Sequence, residues 1–341
     1  MLTMDVFKSD LFSATSMTAA VDKYGYVPSF LTNLFGDSIY VPVSTTSVFI
    51  EERANAPAVI QTTPRGAPPK QKGGDQRTER GFKTLRHALS SRVTSEELQN
   101  IRAFGTTTEL KSLQIEIARR QMKIRTDFEL TKEAWMLNMV QGYVLDADGT
   151  QLYDWASEFN QTRQAEVAFN FAGAAIGDIR KKCNGIVRTT LRKLQGLGGG
   201  NVKVVALCGD DFYDGLITSA EVRQTYINWA EAADLRNKVG APFEAFPFGG
   251  ILWVNYRGTD DNSTVAIDPA KAKFFPVGAG IFQWALSPAE RFEFVNTPGQ
   301  EIYSWIVPDL DRQMYADVEM ATYPLPVCVM PQALGSGRAG S

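Results

Sequence analysis

The chain of 341 residues is 44% hydrophobic and 21% charged, enough apolar material to bury a core in two domains or in one body with large insertions. Its 35 basic residues stand against 38 acidic ones, and the resulting net charge of −3 excludes whole-surface nucleic-acid binding, which is driven by neutralising many phosphates. Cys183, Cys208 and Cys328 are an odd, widely spaced set among apolar residues, which excludes a secreted disulfide framework and makes them reduced core thiols. Asp5, Lys8 and Asp10 interrupt the apolar run that a signal peptide needs. No stretch approaches the roughly 18 uncharged residues of a membrane span, so a soluble protein made in a cytoplasm is expected.

Residues 1–47 lack sustained periodicity and are punctuated by Pro28, Gly36 and Pro42, the pattern of an extended arm with one short helix at Ser13 to Tyr24. Val48-Phe49-Ile50 and Val59-Ile60 read as strand. Residues 62–83 then hold three prolines and four glycines, which forbid a helix, and Phe82 is almost the segment's only large apolar side chain. Folded back on itself at about 3.3 Å per residue, such an insertion reaches a few tens of ångströms from a body. It carries Arg65, Lys70, Lys72, Arg77, Arg80 and Lys83 against only Asp75 and Glu79. This is the composition of an arm that acquires order on a partner. Leu85 to Leu89 reads as the strand that follows.

Thr94-Ser95-Glu96-Glu97 has capping-box spacing and opens a short helix closed by Gly105. A second box, Thr106 to Glu109, opens a longer one. No proline or glycine occurs from Glu109 to Gln141, and Leu110, Leu113, Ile117, Ile124, Phe128, Trp135 and Met139 recur at helical spacing. Ile115, Met122, Leu130, Leu137 and Val140 widen that stripe, while Arg119, Arg120, Lys123, Asp127, Lys132 and Glu133 define a wet side. Gly142 is the stop. At 1.5 Å rise per residue the helix spans about 50 Å and braces a flat or elongated body.

Asp146 to Gly149 reads as a turn and Glu166 to Phe171 as a strand. Asp178 to Gln195 reads as a helix with Ile179, Cys183, Ile186, Leu191 and Leu194 inward. A glycine loop, 196–200, precedes a buried strand from Val202 to Leu207. Asp210 and Asp211 cap a helix from Phe212 to Ser219, and Ile251 to Tyr256 is another strand, so that about 166–290 forms a mixed α/β segment. Glu301 to Val307, the turn Pro308 to Asp311, and the alternation of Met314, Ala316, Val318 and Met320 give a hairpin with one dry face. Tyr323 to Pro331 is a proline-bounded edge segment, and 332–341 reads as a flexible tail.

Catalytic chemistry finds little support. His87 is the only histidine, and its alternation with Leu85 and Leu89 makes it a partly buried, satisfied strand residue. No C-x-x-C occurs for zinc. The loop 196–200 precedes a strand where a dinucleotide fingerprint follows one, and it lacks a Walker lysine. Asp210, Asp211 and Asp214 follow a strand, the position of a magnesium or acid/base site in α/β enzymes, although helix capping accounts for them more simply. Helix 178–195 is a second basic concentration, with six basic residues and Asp178, able like the arm to meet phosphate or an acidic neighbour.

The order of these parts is an N-terminal arm, a basic Pro/Gly hairpin, a long helix containing D-F-E-x-x-K-E-A-W from Asp127 to Trp135, a mixed α/β segment and a closing sheet. Near the end stand Phe274-Phe-Pro-Val-Gly278, Phe282, Ser287-Pro, Val295-Asn-Thr-Pro-Gly299 and Tyr323-Pro-Leu-Pro-Val-Cys-Val-Met-Pro331. Over about 48–331 this resembles the major capsid protein of tailed bacteriophages, in the lambda-like family with the Hong Kong 97 capsid fold.

The resemblance implies an α+β fold with an N-terminal arm at 1–50 and an extended loop at 51–92 lying across a neighbouring subunit. It implies a peripheral domain at 93–165 and 296–341 built on a spine helix at 107–141, and an axial domain at 166–295. Inter-subunit contact then falls to Arg65, Lys70, Lys72, Arg77, Arg80, Phe82 and Lys83, with no catalytic, cofactor or metal site. Its partners are copies of itself in hexamers and pentamers of an icosahedral virion shell, a separate scaffolding protein, a portal protein, a possible decoration protein, and double-stranded DNA in weak contact. No asparagine follows Asn296 to be joined to a loop lysine, so assembly is expected to be non-covalent. A magnesium-dependent α/β enzyme and a bacterial nanocompartment shell of the same fold are the alternative readings.

Overall fold

A computed structural model describes residues 30–53, 77–100, 109–227, 245–256, 258–259 and 265–340. The helix expected at 13–24, the residues 54–76, Gly105 and the box at Thr106 lie outside the described residues. The chain from residue 30 is not an irregular arm. Helix α1 (Phe30–Phe35), a 3-10 turn (Gly36–Ile39) and strand β1 (Tyr40–Pro42) bury Leu31, Phe35 and Ile39. Their signal was missed because this helix is under two turns long and so shows no period.

Strands β2 (Ser47–Arg53) and β3 (Arg77–Lys83) pair antiparallel, from Ser47 opposite Lys83 to Arg53 opposite Arg77. Strand β4 (His87–Thr94) leaves that hairpin and joins a different sheet. The capping box of helix α2 (Ser95–Asn100) forms reciprocally. The Glu97 amide donates to Thr94 Oγ1 at 3.4 Å, and the Thr94 amide donates to Glu97 Oε2 at 3.3 Å.

Helix α3 (Glu109–Met139) is the expected spine, and the Gly142 amide donates to the Met139 carbonyl at 3.0 Å. Gly142 has φ +83°, the left-handed stop that glycine adopts without strain. Ile117, Ile124, Phe128, Trp135 and Met139 are buried as read. The second stripe holds only at Leu137 and Val140, whereas Met122 and Leu130 are exposed. Lys132 and Glu133, assigned to the wet side, are inside, because the chain from residue 30 and the segment around Glu301 cover that end of the helix. Glu133 Oε1 accepts from the Leu31 amide at 3.2 Å and from the Tyr256 hydroxyl at 2.9 Å, while Lys132 pairs with Glu301 beside the Tyr40 ring. Burial and then the Glu301 carboxylate push the Tyr40 hydroxyl up to about 12. A carboxylate shared by three segments is costly to unpair in low dielectric, so it fixes how they meet.

The turn at Asp146–Gly149 closes the ribbon of β5 (Tyr143–Leu145) and β6 (Gln151–Asp154), which runs into the short helix α4 (Trp155–Glu158). The strand read at 166–171 shrinks to β7 (Val167–Ala168). Helix α5 (Asp178–Lys193) buries Ile179, Cys183 and Ile186, with Thr190 rather than the exposed Leu191 on its inner face. Strand β8 (Lys203–Cys208), helices α6 (Asp210–Thr218) and α7 (Ala220–Ile227), and strands β9 (Ala245–Phe248), β10 (Ile251–Asn255), β11 (Lys271–Val277) and β12 (Phe282–Leu286) follow. The hairpin of β13 (Tyr303–Pro308) and β14 (Tyr315–Thr322), then β15 (Pro324–Cys328) and β16 (Gly335–Arg338), complete the chain.

A six-stranded sheet in the order β7-β16-β11-β8-β10-β9 is the centre of the body. Val204, Ala206 and Cys208 of β8 share a core with Ile179, Cys183, Phe212 and Leu216, whereas Val205 and Leu207 share one with Leu31, Met136 and Met139. Both faces are dry, which is why β8 reads as an unbroken apolar run. Strand β16 replaces the expected tail. It lies between β11 and β7, and a Cβ on Gly337 would come within 3.0 Å of the Phe169 and Phe274 rings, so glycine is what lets the strand fit beneath them. A second sheet, β13-β14-β4, lies along α3, where Gln121 Nε2 donates to Ser304 Oγ at 2.8 Å. In a third, β1-β12-β15, the proline-bounded segment is the edge strand expected, with all five of its residues buried.

The three thiols are free and buried, and desolvation pushes Cys183 and Cys328 up to about 12. His87 is partly buried edge-on to Trp135, with ring centroids 4.2 Å apart, but among the described residues its Nε2 finds no hydrogen-bond partner, unlike the satisfied histidine expected. It borders a cavity of about 30 Å³ that Glu129, Lys132 and Glu301 also line. Burial lowers the His87 pKa below the ordinary value, against a weaker opposite pull from Asp146. The folded state therefore resists protonation. Stability is full above the unfolded-state value, about pH 6.5, and falls as pH drops below it. Urea unfolding at pH 8 and pH 5 should show a larger acid loss in the wild type than in His87→Gln; equal losses would remove His87 as the cause.

Candidate inter-subunit surface

The β2–β3 hairpin is a two-stranded ribbon that shares no strand pairing with the other sheets and that the core covers at its root. Its root is fixed. Phe82 and Val48 are buried, and the Phe82 ring meets Tyr153, Trp155 and Phe159 edge-on at centroid distances of 5.8, 5.1 and 5.9 Å. Tyr153 stacks on Trp155, and its hydroxyl donates to the Lys83 carbonyl at 3.3 Å. Phe82 therefore anchors the hairpin within its own chain and is withdrawn from the expected contact set. Beyond the root the side chains turn outward. Phe49 is 61% exposed, Lys83 is exposed and Arg80 half-buried. Arg77 ends the described part of β3 opposite Arg53, and Arg65, Lys70 and Lys72 lie outside the described residues. The hairpin thus brings Arg77, Arg80 and Lys83 onto one strand, with Arg80 on the face of the pleat that carries Phe82 and Lys83 on the opposite face.

Other apolar groups are left in water. Ile176, Leu310, Met314, Val295 and Phe292 are all exposed, Phe292 at 99%. Single exposed apolar residues are ordinary, whereas a cluster on a fixed turn marks an interaction surface. Leu310 and Met314 flank the β13–β14 turn, where the Asp311 and Arg312 amides donate to Asp309 Oδ1. Phe292 and Val295 belong to a separate 3-10 turn at Phe292–Phe294. The sequence reading did not single out Phe292, and it used Val295 only as the start of the Val295–Gly299 string. The F-x-F-V string holds one inward and one outward phenylalanine, and composition cannot say which is which.

The carboxylates weighed as a catalytic site are not gathered. Asp210 and Asp211 are the first residues of α6 and Asp214 follows one turn later. Gly209 is the cap, and no side chain makes a capping hydrogen bond. Capping is therefore replaced by charge placement: acidic residues in the first turn sit favourably against the positive end of the helix dipole, worth about 0.3–1 kcal/mol each. Among the described residues no group of three or more His, Cys, Asp or Glu side chains is placed to hold a metal ion, and no helix is long and apolar enough to cross a membrane. On α5, Arg180, Lys181, Arg188, Arg192 and Lys193 are exposed.

The solved structures with this architecture include the capsid of a native gene-transfer-agent (GTA) particle, with a TM-score of 0.52 at 10% identity over 93% of both chains. They also include the mature capsid of bacteriophage PhiM1, with a TM-score of 0.50 at 11% identity over 93% of this chain and 89% of that one. At such identity the likeness shows the fold, that of a capsid protein. In sequence the chain is 28% identical to the major capsid protein of Pseudomonas phage KPP10, over 86% of this chain and 87% of that protein. It is 27% identical to the major capsid protein of Salmonella phage Felix O1, over 72% and 74%. Capsid proteins of this architecture assemble into multi-subunit shells. The model of the phage major capsid protein E family matches residues 13–339, nearly the whole length, and the chain belongs to that family.

Proposed function

We propose that copies of this chain form hexamers and pentamers that close an icosahedral head around double-stranded DNA, with the β2–β3 hairpin lying on a neighbouring copy. Its role is structural, not catalytic. The observation that carries this is the hairpin itself: locked at its root by Phe82, outward-facing and basic beyond it, in a chain whose remaining residues are net acidic. Arg65, Lys70, Lys72, Arg77, Arg80 and Lys83 are its contact residues, suited to carboxylates on the neighbour. Many weak repeated contacts of this kind sum to a stable shell, because symmetry multiplies each one. A separate scaffolding protein, a portal, assembly in the host cytoplasm and non-covalent joints belong to the same reading, with a decoration protein optional and DNA held only by weak contact.

The test is negative-stain microscopy of particles made with a scaffolding protein, followed by nuclease treatment. Closed shells that protect DNA and dissolve in detergent to a 37.7 kDa band are expected. A compact monomer under all scaffold and salt conditions would sink the shell, and protected protein cargo without DNA would point to a nanocompartment.

A further inference from the structure

From the outward face of α5 we infer a seat for the phosphate backbone of double-stranded DNA, centred on Gly185; the inference rests on the shell reading above. Helix α5 carries charge that its own fold does not use. After Asp178 it has no acidic residue, and Arg180, Lys181, Arg188, Arg192 and Lys193 are exposed along it. Arg192 and Lys193 suit the negative end of the helix. Arg180 and Lys181, however, stand in the first turn beside its positive end, and Arg188 and Arg192 are like charges one turn apart. The spine shows the ordinary arrangement: Arg120 pairs with Glu116 at 3.0 Å and Arg125 with Glu129 at 3.4 Å, each four residues away. Among the described residues no carboxylate pairs with Lys181, Arg188, Arg192 or Lys193. Glu221 of α7 faces the start of the helix, but it is buried, and its two oxygens accept the Ile179 and Arg180 amides at 3.0 and 3.2 Å.

Gly185 is the second observation. Glycine weakens a helix interior, and a Cβ at this position would meet nothing within 4 Å, so packing within the chain gives no reason for it. It is exposed on the side of Lys181 and Arg188, one turn before and one turn after, while Cys183 and Ile186 hold the opposite side in the core. The result is a notch in the helix surface, open to solvent, with a cation above and below it and the exposed Asn184 amide beside it. A notch admits a convex ridge. The DNA backbone is such a ridge, with closely spaced charges, whereas carboxylates of a protein partner stand on stems that reach the same cations without one. Arginine offers phosphate a planar fork, and asparagine is a neutral donor of the kind that also contacts it. Contacts to phosphate carry no sequence information and weaken with salt, which suits DNA that must enter and leave a shell.

Two measurements on the full chain test it. In the first, a short fluorescent duplex of mixed sequence is titrated with the purified chain between about 50 and 200 mM salt and followed by anisotropy. Arg188→Gln/Arg192→Gln is expected to weaken binding about tenfold or more and to make the logarithmic salt slope shallower by about two. Arg119→Gln/Lys123→Gln, the same change at the same spacing on the exposed side of α3, should leave the slope unchanged. Gly185→Gln should hold or raise the thermal midpoint while weakening binding, because it supplies a helix former and fills the notch. A wild-type chain that does not bind the duplex, losses of equal size from the two pairs, or full binding by Gly185→Gln would overturn the inference. In the second, the photoreactive residue benzoylphenylalanine replaces Asn184, and DNA-filled particles are treated with nuclease, irradiated and digested for mass spectrometry. Nucleotide adducts at position 184 are expected. Normal filled particles whose adducts are to protein, from a second copy or another chain, or that give no adduct, would overturn the inference and leave the shell reading standing. Absence of particles from the wild-type chain would overturn both.

Discussion

Replacing residues 54–76 with an Asn-Gly turn is expected to give a folded subunit that makes no closed shells. Arg53 and Arg77 are a directly opposed antiparallel pair, so a two-residue turn of the type favoured by Asn-Gly closes β2 onto β3 without disturbing register. The root is untouched, because Phe82, Val48, Tyr153 and Trp155 all lie on the body side of the replacement. Shortening the connection also lowers the entropy of closing the hairpin, though only by about 1–2 kcal/mol from loop length alone. The thermal midpoint should therefore stay level or rise slightly while particle yield falls to background, read by scanning calorimetry and by microscopy on the same preparation. Normal particles from this variant would remove the hairpin from assembly. A fall in thermal midpoint together with lost particles would mean that the segment stabilises its own subunit. Phe82→Ala makes the opposite comparison. It leaves 54–76 intact but empties the aromatic cluster at the root, at about 3–5 kcal/mol of fold stability.

The sequence exposed those features that rest on local chemistry. The reciprocal box at Thr94 and Glu97, the Gly142 stop and the Asp146–Gly149 turn each depend on a few neighbouring residues and form as read, and so does the dry face at Ala316, Val318 and Met320, though Met314, read on that face, is exposed in the turn before β14. The spine helix follows from an unbroken run without proline or glycine. What could not be read depends on distant segments. Lys132 and Glu133 look like surface residues on a helical wheel; Glu133 is buried and Lys132 partly so because the chain from residue 30 and the segment around Glu301 cover them, more than a hundred positions away. Phe82 was the one large apolar group in a polar arm, and its partners Trp155 and Phe159 lie some seventy residues on. Of the candidate contact surface, the hairpin was legible from composition, while Phe292 was not. Its exposure depends on Phe294, two residues later, taking the inward place against Tyr303.

The least legible element, β16, carries the other large expected effect. Gly-Ser-Gly-Arg has almost no side chain to show a period, and it resembles a linker. Its contribution is backbone. Gly335 to Arg338 pair with Phe274 to Lys271 on one side, and Gly337 and Arg338 with Val167 and Ala168 on the other. The Phe169 amide donates to the Arg338 carbonyl at 2.9 Å, and the Ala339 amide to the Ala270 carbonyl at 2.9 Å. Ending the chain after Leu334 would leave β11 as a bare edge beneath exposed Phe169 and Phe274 rings, an invitation to pair with other chains. At about 0.5–1.5 kcal/mol for each lost hydrogen bond, and more for carbonyls left buried and unpaired, the loss is several kcal/mol out of the roughly 5–15 that hold a domain. The truncated chain is expected to be insoluble or to melt at least about 10 °C lower, whereas removing only Gly340 and Ser341, which lie beyond the last paired residue, should leave the melt unchanged. Equal melting of the two truncations would show that β16 is the dispensable tail its sequence suggests. A selective collapse of the shorter chain would show that β16 is what closes the six-stranded sheet beside β11.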